Sequence, residues 1–269
     1  KICRAALAGL LSVTLLCAAE AAESHASELS DTAAVSGSVT AGDFEVTAKS
    51  GTVRITGYTG DGGKITLPQS VEIQGETVTV TGIQASRDVF QENKKITKVT
   101  IPDGYTTIDG DSFKGCTSLT EINIPGSVTS VSYNAFEGCT SLSSVRFDTT
   151  TTADKLSIGM NAFKNCALTS VALPERLSDV HGTSFVGNAA LSTLEVESGS
   201  SAFASEGGNI YQLSGDSASL VVYAPGKRDV EFSVPETVAG KQVTGIGLSA
   251  FRYHPYLEKI TLPACVTDV

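Results

Sequence analysis

A chain of 269 residues has the length for a sizeable core, but with 6% aromatics and no tryptophan it lacks large side chains to fill one. Its formal net charge of −10 argues against nucleic acid, because phosphate binding needs clustered Lys and Arg and no such cluster occurs. Ser, Thr, Gly and Val dominate instead, which favours short strands and turns over long helices.

Residues 1–26 read as an export signal. Lys1 and Arg4 form a short basic region, and Ala5 to Ala19 is a 15-residue run broken only by Gly9, Ser12 and Thr14. Small-residue cleavage sites follow at Ala19-Glu20-Ala21 and Ser24-His25-Ala26. A membrane span needs about 20 apolar residues, so cleavage with no membrane insertion afterwards is expected. Lipidation at Cys17 is disfavoured because Leu15 and Leu16 stand where small residues are required. Residues 27–42 are Ser/Ala/Thr-rich without periodicity and read as a flexible linker. Phe44 to Tyr58 then alternates around the turn Lys49-Ser50-Gly51, which predicts a β-hairpin cap over 43–63.

From residue 64 to the last residue the chain repeats itself. Leu119-x-x-Ile122-x-Ile124-Pro125 returns as Ile96-x-x-Val99-x-Ile101-Pro102, Leu142-x-x-Val145-x-Phe147 and Leu168-x-x-Val171-x-Leu173-Pro174. Leu191-x-x-Leu194-x-Val196 and Leu257-x-x-Ile260-x-Leu262-Pro263 complete the set. Phe90, Phe113, Phe136, Phe163, Phe185 and Phe251 travel in phase, each five or six residues before the leading Leu or Ile. The last two anchors of each motif alternate with period two, so a short strand turns both inward and the residue between them outward. Proline cannot donate to a ladder and ends that strand. The Ala-Phe-x-Gly-Cys stretch is too short for a regular helix and reads as a turn or single helical turn. One such coil cannot bury its apolar side alone, whereas stacked coils can. Residues 64–90 and 234–251 follow a longer layout, and about 199–233 reads as a hairpin insertion around Ser214-Gly215-Asp216.

The unit Ile124-Pro-Gly-Ser-Val128-Thr-Ser-Val131, followed by Asn134-Ala-Phe136-Glu-Gly-Cys139-Thr-Ser-Leu142, resembles the BspA-like leucine-rich repeats of bacterial surface proteins. The resemblance covers about residues 52–269. Asp148 stands where proline is usual, and Asn188 and His254 replace the cysteine. It implies a β-rich leucine-rich repeat solenoid of short strands and single helical turns with an N-terminal β-hairpin cap. It also implies a cell-surface or secreted protein that binds proteins or other cells.

No catalytic set accompanies the repeat. His25, His181 and His254 are isolated and differently phased, which leaves no Ser-His-Asp or Cys-His arrangement. Cys116, Cys139 and Cys166 share one phase without a Cys-x-x-Cys pair or neighbouring His, so they read as small buried fillers rather than metal ligands. No enzyme activity, cofactor or metal is expected. The outward strand positions Thr100, Asn123, Arg146, Ala172, Glu195 and Thr261 form the candidate partner-binding ladder, and the protein is expected to be monomeric. The alternative is a non-catalytic repeat region of a larger secreted enzyme or wall-anchored protein. The repeat stops five residues short of its next phenylalanine, which reads as a C-terminal truncation.

Overall fold

A computed structural model describes residues 35–84, 88–150 and 153–269, so the expected export signal lies outside the described residues. Three antiparallel strands, Gly37–Ala41, Phe44–Lys49 and Thr52–Tyr58, open the fold. The first runs through the end of the expected linker. Val39 and Ala41 explain it, because both pack partly buried against the core and an extended pairing is the way to seat them. The third strand pairs parallel with Gly82–Ile83, joining the cap to the solenoid.

Each coil behind the cap contributes to three sides. On the first, strands Gly63–Thr66, Ile96–Thr100, Glu121–Ile124 and Ser144–Phe147 pair in parallel, and Ser170–Leu173 with Thr193–Val196 continue the same motif. Period two settles their orientation: Ile122 and Ile124 are 2% and 0% exposed, while Asn123 between them faces solvent. On the second side Thr107–Ile108, Ser130–Val131, Leu156–Ile158 and Leu177–Val180 pair in parallel.

The third side carries Ala-Phe-x-Gly-Cys, and here the expected single helical turn is replaced by consecutive turns, with no helix among the described residues. The reason is the left-handed backbone that the sequence supplies twice per coil. Asn134 (φ 53°) and Gly138 (φ 76°) flank Phe136, as Asn161 (58°) and Asn165 (57°) flank Phe163. Asn and Gly tolerate that region, and a helix does not pass through it. The turn N–H groups then bond between coils, Phe113 N to Ala135 O at 2.9 Å and Phe136 N to Ala162 O at 2.8 Å.

Phenylalanines fill the axis. Phe90, Phe113, Phe136, Phe163 and Phe185 stack with centroids 5.1, 5.3, 5.2 and 5.6 Å apart and planes within 9°. All five are essentially inaccessible, and burying one such side chain stabilises by about 1.5–3 kcal/mol. The cysteine phase adds a second donor to ring-residue carbonyls that already accept a main-chain N–H from Asn93, Cys116 and Cys139. The Sγ atoms of Cys116, Cys139 and Cys166 donate to the carbonyls of Phe90, Phe113 and Phe136 at 3.0, 3.1 and 3.2 Å. Where cysteine is absent, Asn188 Nδ2 donates to Phe163 O at 2.7 Å and His254 Nε2 lies 3.2 Å from Tyr223 O. Cysteine is therefore a weak donor on a small side chain as well as a filler.

The last contact reveals that 199–233, expected as an insertion, is threaded into the stack. Strands Phe203–Glu206, Asn209–Ser214 and Ser217–Val222 form an antiparallel unit whose last member pairs parallel with Lys241–Ile246. Tyr223 N donates to Ala250 O, the bond that Phe113 makes to Ala135. Tyr223 thus holds the phenylalanine place, in a second core cluster with Tyr211, Leu220, Val234 and Val243.

Candidate functional site

The outward face of the first sheet is where parallel pairing gathers polar side chains that the core rejects. Two rows cross it. One joins Thr66, Thr100, Asn123 and Arg146, the other Lys64, Lys98, Glu121 and Ser144. Thr66, Thr100, Asn123 and Arg146 are all exposed, and a shallow groove of about 300 Å³ lies over Lys98, Thr100, Glu121, Asn123, Ser144 and Arg146. Lys98 Nζ sits 2.6 Å from Glu121 Oε1 across neighbouring coils. The hydrogen bond from Lys98, then its charge, holds the Glu121 carboxyl below the usual carboxylate range, with Arg146 and Lys64 adding to it. The patch is therefore three cations around one acid, the reverse of the chain's overall balance.

The expected ladder is not one continuous row. Thr100, Asn123 and Arg146 adjoin, and Glu195 pairs with Ala172 on the continuing strands. Thr261 lies apart, on a two-stranded sheet where it pairs with Ser233. The antiparallel unit beginning at Phe203 stands next in the stack after Thr193–Val196, and its strands run against the parallel direction. The expected hairpin at 199–233 is therefore also the break in the ladder, which the spacing of the flanking motifs did not show.

Other candidate residues are used structurally. His181 Nδ1 lies 2.9 Å from Thr183 Oγ1 and accepts from Thr183 N at 3.2 Å, tying a turn. Burial pushes the Cys116 and Cys166 thiols up to about 12 and Cys139 further, so none is a nucleophile near neutrality. Among the described residues no group of three His, Cys, Asp or Glu side chains is placed to hold a metal. One buried charge escaped the sequence reading. Arg176, 9% exposed, donates to the carbonyls of Val128, Lys155 and Pro125 at 2.7, 3.2 and 3.3 Å. It ties together the turns beside the longest mid-stack coil, in which Phe136 and Phe163 are 27 rather than 23 residues apart.

The family model described as BspA type Leucine rich repeat region matches in six copies over residues 83–157 and 151–209. Among solved structures, the chain is similar to the pneumococcal vaccine antigen PcpA, at 20% identity and TM-score 0.62, covering 86% of this chain and 71% of that one. It is similar to a leucine-rich repeat protein from Bacteroides ovatus at 21% identity and TM-score 0.58, covering 85% and 54%. A Treponema pallidum leucine-rich repeat protein matches at 25% identity and TM-score 0.51, covering 59% and 71%. No curated protein sequence matches the chain. The 23-residue period, the stacked phenylalanines and the doubly bonded carbonyls meet the family match over the same residues, and residues 83–209 form a BspA-type leucine-rich repeat region.

Proposed function

We propose that this is an exported, non-catalytic repeat protein that binds a protein partner through the outward face of its first parallel sheet. The observation that carries the proposal is the contrast across that sheet. Its inner face is filled by Ile65, Val99, Ile122, Ile124 and Val145, all under 9% exposed, and its outer face is polar and exposed. Repeat solenoids use such extended surfaces for recognition. The groove over Thr100, Asn123 and Arg146 supplies hydrogen-bonding and cationic groups on rigid strands, which orders little on binding. The export signal read from residues 1–26 supports a place outside the cell, and PcpA, of the same fold, is described as a vaccine antigen.

The test is capture of the purified protein by an array of immobilised extracellular proteins, repeated with Asn123→Arg/Arg146→Glu. The expected result is saturable binding that falls at least tenfold in the double variant while the melting temperature stays within about 2 °C, as for surface substitutions. Absence of binding across the array, or binding unmoved by the double variant, overturns the proposal.

A further inference from the structure

A second surface, separate from the sheet face, stands out by backbone conformation. The second residue after each repeat phenylalanine is left-handed: Glu92 (φ 57°), Gly115 (71°), Gly138 (76°), Asn165 (57°) and Gly187 (80°). In the coil of Phe251 that place is taken by Tyr253, at φ 60°. A bulky aromatic is among the poorest residues for this region, so its presence costs conformational energy. Folding gains little in return, because Tyr253 is 67% exposed. The place faces outward in mid-stack coils too, since Glu92 and Asn165 occupy it and are exposed with coils on both sides.

What surrounds Tyr253 has a consistent chemistry. The Arg252 guanidinium lies 4.8 Å from the Tyr253 ring centroid, and its Nη2 donates to Tyr253 Oη at 3.1 Å. Arg228, from the loop before Val230, lies 5.8 Å from the centroid of Tyr256, which is 49% exposed. The two turns are held together where Glu258 N and Lys259 N both donate to Val230 O, and Val230 is itself 53% exposed. Among the described residues neither guanidinium is in an ion pair. Of the acids on these turns, Asp229 accepts from Tyr223 Oη at 2.6 Å, Glu231 pairs with Lys259 at 2.9 Å, and Glu258 is exposed.

We infer that Arg228, Arg252, Tyr253, Tyr256 and Val230 form a docking patch for an acidic polypeptide segment. Arginine and tyrosine are the residues that protein interfaces concentrate at their energetic centres. Two unpaired guanidiniums on a chain of net charge −10 select carboxylates. A strained residue that folding does not require is what a site kept for binding leaves behind. The patch is a pair of exposed turns rather than a hollow, which suits a peptide backbone with acidic side chains better than a sugar ring.

The probe is fluorescein-labelled poly-L-glutamate, read by anisotropy at two salt concentrations, against wild type, Tyr253→Gly, Arg228→Gln/Arg252→Gln and, as a control, Lys98→Gln/Arg146→Gln. Tyr253→Gly installs the residue of three other coils, so it is expected to raise the melting temperature while weakening polyglutamate at least threefold. The double arginine variant is expected to weaken it at least tenfold, and the sheet-face control to leave it within twofold. Several results overturn the inference. They are a lower melting temperature for Tyr253→Gly, equal loss in the control, equal or tighter binding of labelled polygalacturonate, and self-association that depends on Arg228 and Arg252.

Discussion

The coils from Phe90 to Phe185 and those from Tyr223 onward are built from one motif and differ in how well they close. In the first group, rings stack within 9° of parallel. In the second, Tyr223 meets Phe232 and Phe251 at 58° and 44°, and Phe251 is only partly buried. The difference teaches that the motif supplies inward-facing side chains, but equivalent coils on both sides turn them into a core. A repeat residue is worth what its neighbours make of it.

Truncating the aromatic in each region sharpens that comparison most. Phe136→Ala is expected to lower unfolding free energy by about 3–5 kcal/mol, the cost of removing a fully buried ring. Phe251→Ala is expected to cost less than half as much, because part of that ring already meets water. Urea melts of both variants decide it, and equal losses would break the distinction between the two regions.

Thiol chemistry offers the next contrast. Cys116, Cys139 and Cys166 are buried and their protons are held by burial, whereas Cys265 is partly exposed. Native protein lacking residues 1–26, and with them Cys3 and Cys17, is expected to be labelled by a maleimide at Cys265 and spared at the other three, all four reacting once denatured. A disulfide between any two of the buried three, seen by mass spectrometry without prior reduction, contradicts the stacked-thiol picture.

The smallest effect is electrostatic. Glu137 lies between Lys114 and Lys164, its oxygens 3.4 and 2.9 Å from their Nζ atoms. Burial acts to raise its carboxyl, but the hydrogen bonds and charges of Lys164 and Lys114 outweigh that and hold it below the usual carboxylate range. A depressed carboxylate contributes stability that is fully present above the unfolded value of about 4.3 and lost as pH falls through the folded one. Glu137→Gln is expected to flatten the stability profile below about pH 4.3. The exposed Glu231–Lys259 pair, 2.9 Å apart, is expected to leave it unchanged when Glu231 becomes Gln. Chemical denaturation from pH 3 to 7 distinguishes them, and parallel profiles for Glu137→Gln and wild type would remove the Lys-Glu-Lys row from the account.

Much of this was legible in the residues. Leu119, Ile122, Ile124 and Phe136 declare strand, orientation and core by spacing alone, because a period of 23 with three anchors leaves one way to bury them. The Ala-Phe-x-Gly-Cys stretch reads from sequence as a turn or single helical turn, since five residues do not show which bonds their N–H groups make, and the left-handed backbone at Asn134 and Gly138 decides for the turn. Tyr223 hid its place because it stands 38 residues after Phe185 and 28 before Phe251, outside the period. Of the candidate ladder, Asn123 and Arg146 were brought together by simple register, while Thr261 was separated by strands that follow no repeat. Tyr253 was visible in principle, as the one aromatic where sister coils carry Gly, Asn or Glu. Reading it needed the φ angle that makes it costly.

On the turn side the main-chain hydrogen bonds between mid-stack coils run one way. Glu92 N, Gly115 N, Gly138 N and Asn165 N donate to Lys114 O, Glu137 O, Lys164 O and Val186 O, each reaching the coil that follows. The coils of Phe113 and Phe136 each present three such donors, two residues before the ring, at the ring and two residues after it, to acceptors of the next coil, like tiles with a tongue and a groove. Excising one 23-residue unit, or copying it, brings matching edges together at the new joint. Length changes inside a unit do not, and must be absorbed in a loop such as the one preceding Leu156. Such a molecule can be lengthened or shortened by whole coils without redesigning any of them.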